Sequence, residues 1–313
     1  MKSLIVLLVV LTICGCGILF YPMASLTIKV TDERGEPIMD AEVGLGSEQG
    51  YKNGSPVMQA VTGRSNSKGL FNTKVRTSNF ITYGAIKDGY YRSLGEYRFK
   101  EKKRWHWEPW NPEVTLVLRK IENPVPMYAR QIRDLMLPAL NKNIGFDLIY
   151  SDWVKPYGSG LKADIYFKVV SNYTSNLEFD GKLLVTAPSN MDGFIITDQK
   201  MYGSQYKLPR LAPSEGYVRE IVKKQSRVLG KSFLSNIDDN NNYVFRIRTE
   251  KNAGGYQSFY GKIRGDFEFL FDAEKASVNF TYYVNPDHTR NLEFDPKRNL
   301  FNNLPPTERV AQP

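Results

Sequence analysis

The sequence predicts a mainly β protein: a short apolar leader, a β-sandwich, and a second β-rich domain with about one or two helices. Apolar and polar residues alternate through many short stretches, which is the period of a half-buried strand. Tyr and Phe, which favour strands, number 19 and 17. The 313 residues suggest two domains after the leader. The expected divisions are a leader and tether at 1–24, the sandwich at 25–120, a connector at 121–145, the second domain at 146–300 and a disordered tail at 301–313.

The leader has the plan of a secretory signal. Lys2 precedes an apolar run over residues 4–11, and small residues follow. A cleavage pattern of the A-x-A type is missing. From the plan of this segment we expect the rest of the chain to lie outside the cytoplasm.

The sequence ICGC at residues 13–16 resembles the lipobox of bacterial lipoproteins. In that family the last Cys becomes the new N-terminus and carries acyl chains. The resemblance implies that Cys16 is lipidated and that Cys14 leaves with the leader. The alternative is an uncleaved signal anchor over residues 4–20, at the short end of what spans a bilayer. Either way we expect the chain in a bacterial cell envelope, membrane-anchored and facing the periplasm or the cell exterior.

Cysteine usage and charge restrict the chemistry further. Cys14 and Cys16 are the chain's two cysteines, so a chain that begins at a lipidated Cys16 has neither a free thiol nor a disulfide, and its core must supply the stability. The net charge is +9. In an exported protein this favours attraction to an anionic membrane surface or an acidic polymer over nucleic acid. A basic surface with no specific partner is the alternative.

The first domain shows a strand pattern over residues 25–120. Leu26, Ile28 and Val30 alternate with polar residues, and residues 32–37 supply turn chemistry. A second alternating strand follows at residues 41–45, and the last strand is expected at residues 113–120. We expect the residues between them to form further strands, punctuated by Gly69 and Gly89.

These residues resemble the carboxypeptidase regulatory-like family, a small transthyretin-like β-sandwich. The resemblance implies an accessory, stalk or binding module without catalytic residues. The residues that carry it are Val30, Asp32, Gly35, Pro37, Ile38, Ala41, Val43, Gly69, Phe71, Lys87, Gly89 and Tyr90.

A loop at residues 98–113 combines cations with three of the four Trp residues. It could be a stacking platform for sugar rings or a basic-aromatic patch at a lipid interface. The alternative is a long hairpin whose Trp rings pack on the neighbouring domain while its cations face solvent; we expect this burial. The candidate binding residues are Lys102, Lys103, Arg104, Trp105, Trp107 and Trp110.

The second domain reads as strands with one or two helices. Residues 214–230 have the cap, apolar spacing and terminal Gly of a helix. Within the connector, residues 128–141 could form a short helix before Pro138. Residues 272–276 predict the turn of a hairpin. The tail from residue 301 is expected to be disordered.

Most common catalytic motifs are absent from the sequence. His106 and His288 lie far apart, and no G-x-S-x-G elbow or phosphate-binding glycine loop occurs. The EF-hand-like start at Asp238 has Tyr243 where glycine is required. A distant pair of carboxylates for glycoside hydrolysis is not excluded. The available acids are Asp147, Asp152, Asp164 and Glu268.

The sequence thus predicts a membrane-tethered envelope lipoprotein with a structural or binding role, without catalytic residues, metal or cofactor. The alternative is an envelope glycan-binding or glycan-processing protein that uses the Trp-rich loop. The expected partners are the membrane, through the lipid anchor, and envelope proteins or anionic glycans and lipids, but not nucleic acid.

Overall fold

A computed structural model describes residues 19–198 and 203–313, and in these residues the chain is almost entirely β-structure. The predicted mainly β class is confirmed. The described residues divide into two compact units, 19–120 with 203–204 and 121–198 with 205–313. Each unit is built around its own hydrophobic core.

The elements in chain order are β1 (Leu19–Phe20), β2 (Met23–Thr31), β3 (Glu42–Lys52), β4 (Ser55–Arg64), β5 (Leu70–Arg76), β6 (Phe80–Ile86), β7 (Tyr90–Tyr91), β8 (Ser93–Arg98), β9 (Glu101–Lys103), β10 (His106–Glu108), β11 (Glu113–Val117), β12 (Arg119–Lys120), β13 (Val125–Met136), β14 (Ile144–Asp147), β15 (Asp152–Trp153), β16 (Ile165–Ser175), β17 (Glu178–Thr186), β18 (Gly193–Asp198), β19 (Gly203–Ser204), β20 (Glu220–Arg227), β21 (Leu234–Ser235), β22 (Asn241–Asn252), β23 (Gly255–Phe271), β24 (Ala276–Asn285), β25 (Phe294–Asn299) and a 3₁₀ turn (Pro306–Glu308).

Two larger sheets and one small sheet form the first unit. One sheet has the order β1-β3-β6-β8-β19 with β4 also on β3, and the other has the order β11-β2-β10-β9 with β5 also on β2. Strands β7 and β12 form the small third sheet. Leu26, Ile28 and Val30 are fully buried, as their alternation predicts. These side chains form the core together with apolar residues of β3 and β6.

Two residues shared with the carboxypeptidase regulatory-like pattern have local structural roles. The Asp32 carboxylate accepts the N–H groups of Arg34 and Glu36, which closes the turn after β2. Gly69 has φ +74° and lies so close to the carbonyl oxygen of Val30 that a Cβ would overlap it. Both residues therefore position the backbone of the turns.

The fold begins earlier than the expected boundary at residue 25. Strand β1 pairs with the end of β3, and β2 already pairs with β5 at Met23. Between these strands the N–H of Tyr21 donates to the carbonyl of Gln49. Residues 19–24, expected to belong to the leader and tether, are therefore part of the first unit.

The second unit has two six-stranded sheets. Their orders are β18-β22-β23-β24-β13-β25 and β15-β14-β16-β17-β20-β21. A core rich in aromatic rings includes Phe146, Phe167, Phe267 and Phe280. Phe167 and Phe280 have ring centroids 5.4 Å apart. The predicted hairpin turn before Ala276 is confirmed and lies between β23 and β24. The Asp272 carboxylate closes it by accepting the N–H groups of Glu274 and Lys275.

Both predicted helices are wrong. Residues 128–136 belong to β13, which pairs with β24, and residues 220–227 form β20, which pairs with β17. In β20 Ile221 and Lys223 are buried while Lys224 is exposed. This is the alternation of a strand, and pairing with neighbouring strands overrides the apolar spacing that suggested a helix.

The expected connector and disordered tail also differ from the structure. Strand β13 lies between β24 and β25 inside a sheet, so residues 125–136 are not a linker. In the tail, Glu308 forms an ion pair with Arg130 at 2.8 Å, and the carbonyl of Gln312 accepts the hydroxyl of Tyr283. Val310 is buried beside the Tyr283 ring. The tail is therefore packed against the second unit.

Candidate functional site

The cation- and Trp-rich loop forms a tight hairpin at one end of the first unit. Strands β9 and β10 pair antiparallel, with Lys103 opposite His106. Only Arg104 and Trp105 remain for the turn, and Arg104 has φ +55°. The carbonyl of Trp105 accepts the N–H of Met23 at 2.9 Å. The first residue of β2 thereby holds the tip of the hairpin in place.

Trp107 faces the core of the first unit. Its indole N–H donates to the carbonyl of Thr77 at 2.8 Å, and its ring lies 6.4 Å from that of Phe99. The ring is half-buried and packs against the apolar cluster. Trp107 therefore anchors the hairpin, and burial in the first unit's own core accounts for it.

Trp105 and Trp110 are exposed, by 78% and 43%. The prediction that the Trp rings are mostly buried is wrong for these two residues. Two residues apart in one extended segment, Trp105 and Trp107 would point to the same side. A turn at Trp105 separates them instead.

The cations Lys102, Lys103 and Arg104 are all exposed, as expected. Residues 102–105 carry these three cations and no acid. The structure thus presents a basic tip with an exposed indole at its end, while the nearby ring of Trp107 points into the core.

Glu108 organises the outer face of the hairpin. One carboxylate oxygen lies 3.1 Å from Nε2 of His106, and the other accepts the N–H of Trp110 at 2.8 Å. Hydrogen bonding to His106 and then to the Trp110 N–H holds the pKa of Glu108 below its ordinary value. The Trp110 ring also contacts the His106 ring edge-on, and Nζ of Lys74 lies 5.7 Å from its centroid.

Exposed aromatic residues also lie where the described chain begins. Phe20 is exposed and stacks beneath the guanidinium of Arg76, 5.1 Å from its centroid. Tyr51 is exposed, and its ring lies 6.0 Å from that of Tyr21. We call residues 19–23, 51–55 and 102–105 the leader-proximal end of the first unit. Sequence reasoning missed this grouping, because pairing across the sheets brings the three segments together.

Two of the candidate catalytic acids, Asp147 and Asp164, lie together in the second unit, bridged by Arg248. Its Nη2 lies 2.8 Å from Asp147 and its Nε 2.6 Å from Asp164. Both carboxylates are buried. Burial raises the pKa of Asp147, but the N–H groups of Tyr150, Lys162 and Leu161 with the charge of Arg248 outweigh it, so the pKa is lowered. Burial dominates at Asp164 and raises its pKa.

The other two candidate acids are separate from that pair. Asp152 accepts the N–H groups of Trp153 and Ser159 and shapes the loop after β15. Glu268 lines an open cleft of about 450 Å³ on the outer face of a sheet, together with Arg133, Arg264 and other polar residues. The structure therefore does not bring the four acids into one catalytic arrangement.

The predicted lipidation site, Cys16, lies outside the described residues. Within residues 19–198 and 203–313, no group of three or more His, Cys, Asp or Glu side chains could hold a metal ion. In the same residues no helix has the length and apolar character needed to cross a membrane.

No protein-family model matches the chain, and no curated protein matches it. Among solved structures, the chain is similar to 3-chlorocatechol 1,2-dioxygenase from Rhodococcus opacus 1CP, with 11% identity and a TM-score of 0.26 over 32% of this chain and 61% of the dioxygenase. It therefore spans less than two thirds of that enzyme. It is also similar to a mutant of the shaft pilin spaA from Lactobacillus rhamnosus GG, with 10% identity and a TM-score of 0.25 over 82% and 93% of the two chains.

Proposed function

We propose that the protein is a membrane-tethered envelope lipoprotein with a structural or binding role and no catalytic activity. The observation that carries the proposal is the lipobox-like sequence at residues 13–16, directly followed by a folded domain. Strand β1 begins at Leu19. Only two residues, Gly17 and Ile18, lie between Cys16 and the start of β1, so at most about 10 Å of chain joins them. Two or more acyl chains on Cys16 hold the first unit stably against a bilayer.

The contacts of the candidate acids support a non-catalytic role. Asp147 accepts the N–H groups of Ile149, Tyr150, Leu161 and Lys162 in addition to Arg248. A carboxylate with this many donors acts as the organiser of a loop, since its lone pairs are occupied. Asp164 is also buried and paired with Arg248.

We also propose that the first unit is a carboxypeptidase regulatory-like module. The turn closed by Asp32 and the close approach of Gly69 to Val30 support it. Such a module serves as an accessory or stalk domain, in keeping with a position beside the anchor.

Intact mass of the protein extracted from membranes with detergent tests the tether. We expect a chain that begins at Cys16 and carries the added mass of acyl chains. A chain that retains Met1 contradicts the proposal, and so does one that begins near Ser25.

Glycan binding is a second candidate, favoured by the exposure of Trp105 and Trp110. Trp rings of this kind stack on sugar rings. Sedimentation with purified envelope glycan separates the two functions. A glycan-binding protein loses co-sedimentation on Trp105→Ala or Trp110→Ala, whereas a protein with only a structural role does not co-sediment at all.

A further inference from the structure

We infer that the hairpin tip, residues 102–105, docks on the anionic headgroups of the bilayer that holds the tether. This inference rests on the proposed function, because it takes the membrane to lie at the leader-proximal end. The tip would then form a second, non-covalent membrane contact beside the lipid.

Backbone geometry places the tip next to the tether. The backbone N–H of Met23 donates a hydrogen bond to the carbonyl of Trp105 at 2.9 Å. Six residues lie between Cys16 and Met23, so at most about 25 Å of chain joins them. Of these, residues 19–21 are held to the fold, since β1 pairs with β3 and the carbonyl of Tyr21 accepts a hydrogen bond from Arg76 at 2.9 Å. The length of the chain between Cys16 and Met23 therefore limits how far the tip can lie from the lipid.

The side chains of the tip match a bilayer interface. Trp105 is 78% exposed at the turn, and indole rings favour the headgroup level of membranes. Lys102, Lys103 and Arg104 are exposed around it and attract anionic headgroups. Phe20 is also exposed at this end. An exposed indole among cations, with aromatic residues nearby, is the combination that an anionic membrane surface binds.

The opposite end of the same strand has a different charge. Strand β2 runs from Met23 to Thr31, and nine residues of strand span about 30 Å. The turn that follows it, residues 32–36, carries three acids and one cation. Formal charge is thus +3 at residues 102–105 and −2 at residues 32–36, where Glu33 is also paired with Arg119. This difference favours the tip over the far turn as the contact with an anionic surface.

The hairpin is also rigid enough to present its tip. Trp107 packs into the core and donates to Thr77, and Glu108 fixes the Trp110 turn. Because these contacts are made without Trp105, the exposed indole is not needed for the fold. A membrane-binding role therefore accounts for a Trp at the turn.

The test uses residues 17–313 without lipid, which retain every residue that the structure describes, and vesicles of phosphatidylglycerol with phosphatidylcholine or of phosphatidylcholine alone. We expect binding to the mixed vesicles that falls as salt rises. Replacing Lys102 and Lys103 with Gln lowers the partition coefficient by roughly tenfold or more, because each cation contributes separately. Trp105→Ala lowers it as well. Melting temperatures of all variants check that they remain folded.

The matched control is Arg34→Gln with Lys68→Gln, which removes the same charge from exposed positions at the far end of the first unit. It leaves binding nearly unchanged. Equal loss in the two double variants, or no binding to anionic vesicles, overturns the inference. Binding to envelope glycan instead of vesicles, abolished by Trp105→Ala, also overturns it and assigns the tip to a sugar. None of these results depends on lipidation, which the intact mass measures separately.

Discussion

The backbone N–H of Met23 donates to the carbonyl oxygen of Trp105 at 2.9 Å. This bond joins the start of β2 to the turn of a hairpin that comes much later in the chain. The exposed indole is therefore held beside the segment that leads to Cys16. A membrane that holds the tether at Cys16 would therefore lie close to the basic tip.

Trp107 and Trp105 should differ in how much each side chain stabilises the fold. Trp107→Ala removes a half-buried ring and its bond to Thr77, so the free energy of unfolding should fall by about 3 kcal/mol. Trp105→Ala should change it by less than about 0.5 kcal/mol, because the ring is exposed. Chemical denaturation measures both variants. Equal effects would show that the two rings share one environment.

The buried ion pair of Lys223 and Asp266 predicts a large effect in the second unit. The two charged atoms lie 2.6 Å apart, and the side chains are 5% and 0% exposed. Lys223→Met leaves a buried carboxylate without its cation and should lower the free energy of unfolding by about 3 kcal/mol. Lys224→Met, at the exposed neighbouring position, is the control. A small effect at Lys223 would mean that water reaches the pair.

Acid should disrupt the outer face of the hairpin through Glu108. Its pKa is lowered in the fold, chiefly by the hydrogen bond with His106. Because the pKa of Glu108 is lower in the folded state, the ionised carboxylate stabilises the fold fully above the pKa of the unfolded chain, about 4.5. This stabilisation is lost as the pH falls through the pKa of the folded state. The amide proton of Trp110, which donates to this carboxylate, should report a midpoint below 4.5 by NMR. A midpoint at or above that value contradicts the assignment, and Glu108→Gln should abolish the titration.

Close packing should make Gly261 intolerant of a side chain. An added Cβ would overlap the carbonyl oxygen of Tyr283 and the ring of Phe245. Gly261→Ala should therefore destabilise the protein by about 1–3 kcal/mol through overpacking. A Cβ at Gly254 would have a single atom within 4 Å, the side-chain oxygen of Asn252 at 3.6 Å. Gly254→Ala should therefore have a much smaller effect. Thermal melts of the two variants compare them directly, and similar melting temperatures would count against the close packing.

The sequence predicts those strands in which apolar and polar residues alternate, so that only one face of the strand is buried. Leu26, Ile28 and Val30 are of this kind, and all three are fully buried. The turn after Phe271 was predictable too, because Asp272 begins an Asx turn that is encoded locally. Both features depend only on neighbouring residues.

Features that depend on distant partners were not predictable. Residues 214–230 have the cap and apolar spacing of a helix, but residues 220–227 pair with β17 as a strand, and Lys223 is paired with Asp266, which is 43 residues away. Likewise no local signal links Met23 to Trp105. The turn at Arg104 uses a non-glycine residue with positive φ, so its sequence does not mark it as a turn. The candidate residues of the loop were identified, but their division into anchor and exposed tip required the fold.

Quenching of Trp105 fluorescence by spin-labelled lipids measures how deeply the hairpin tip enters the membrane. The lipidated protein, purified from membranes, is reconstituted in anionic vesicles that carry a doxyl label near the headgroup or deep in the acyl chains. The difference in fluorescence between the wild-type protein and Trp105→Phe isolates the signal of Trp105. We predict that the shallow label quenches this signal more strongly than the deep one does. A Trp105 signal that neither label quenches would contradict the membrane contact of the hairpin.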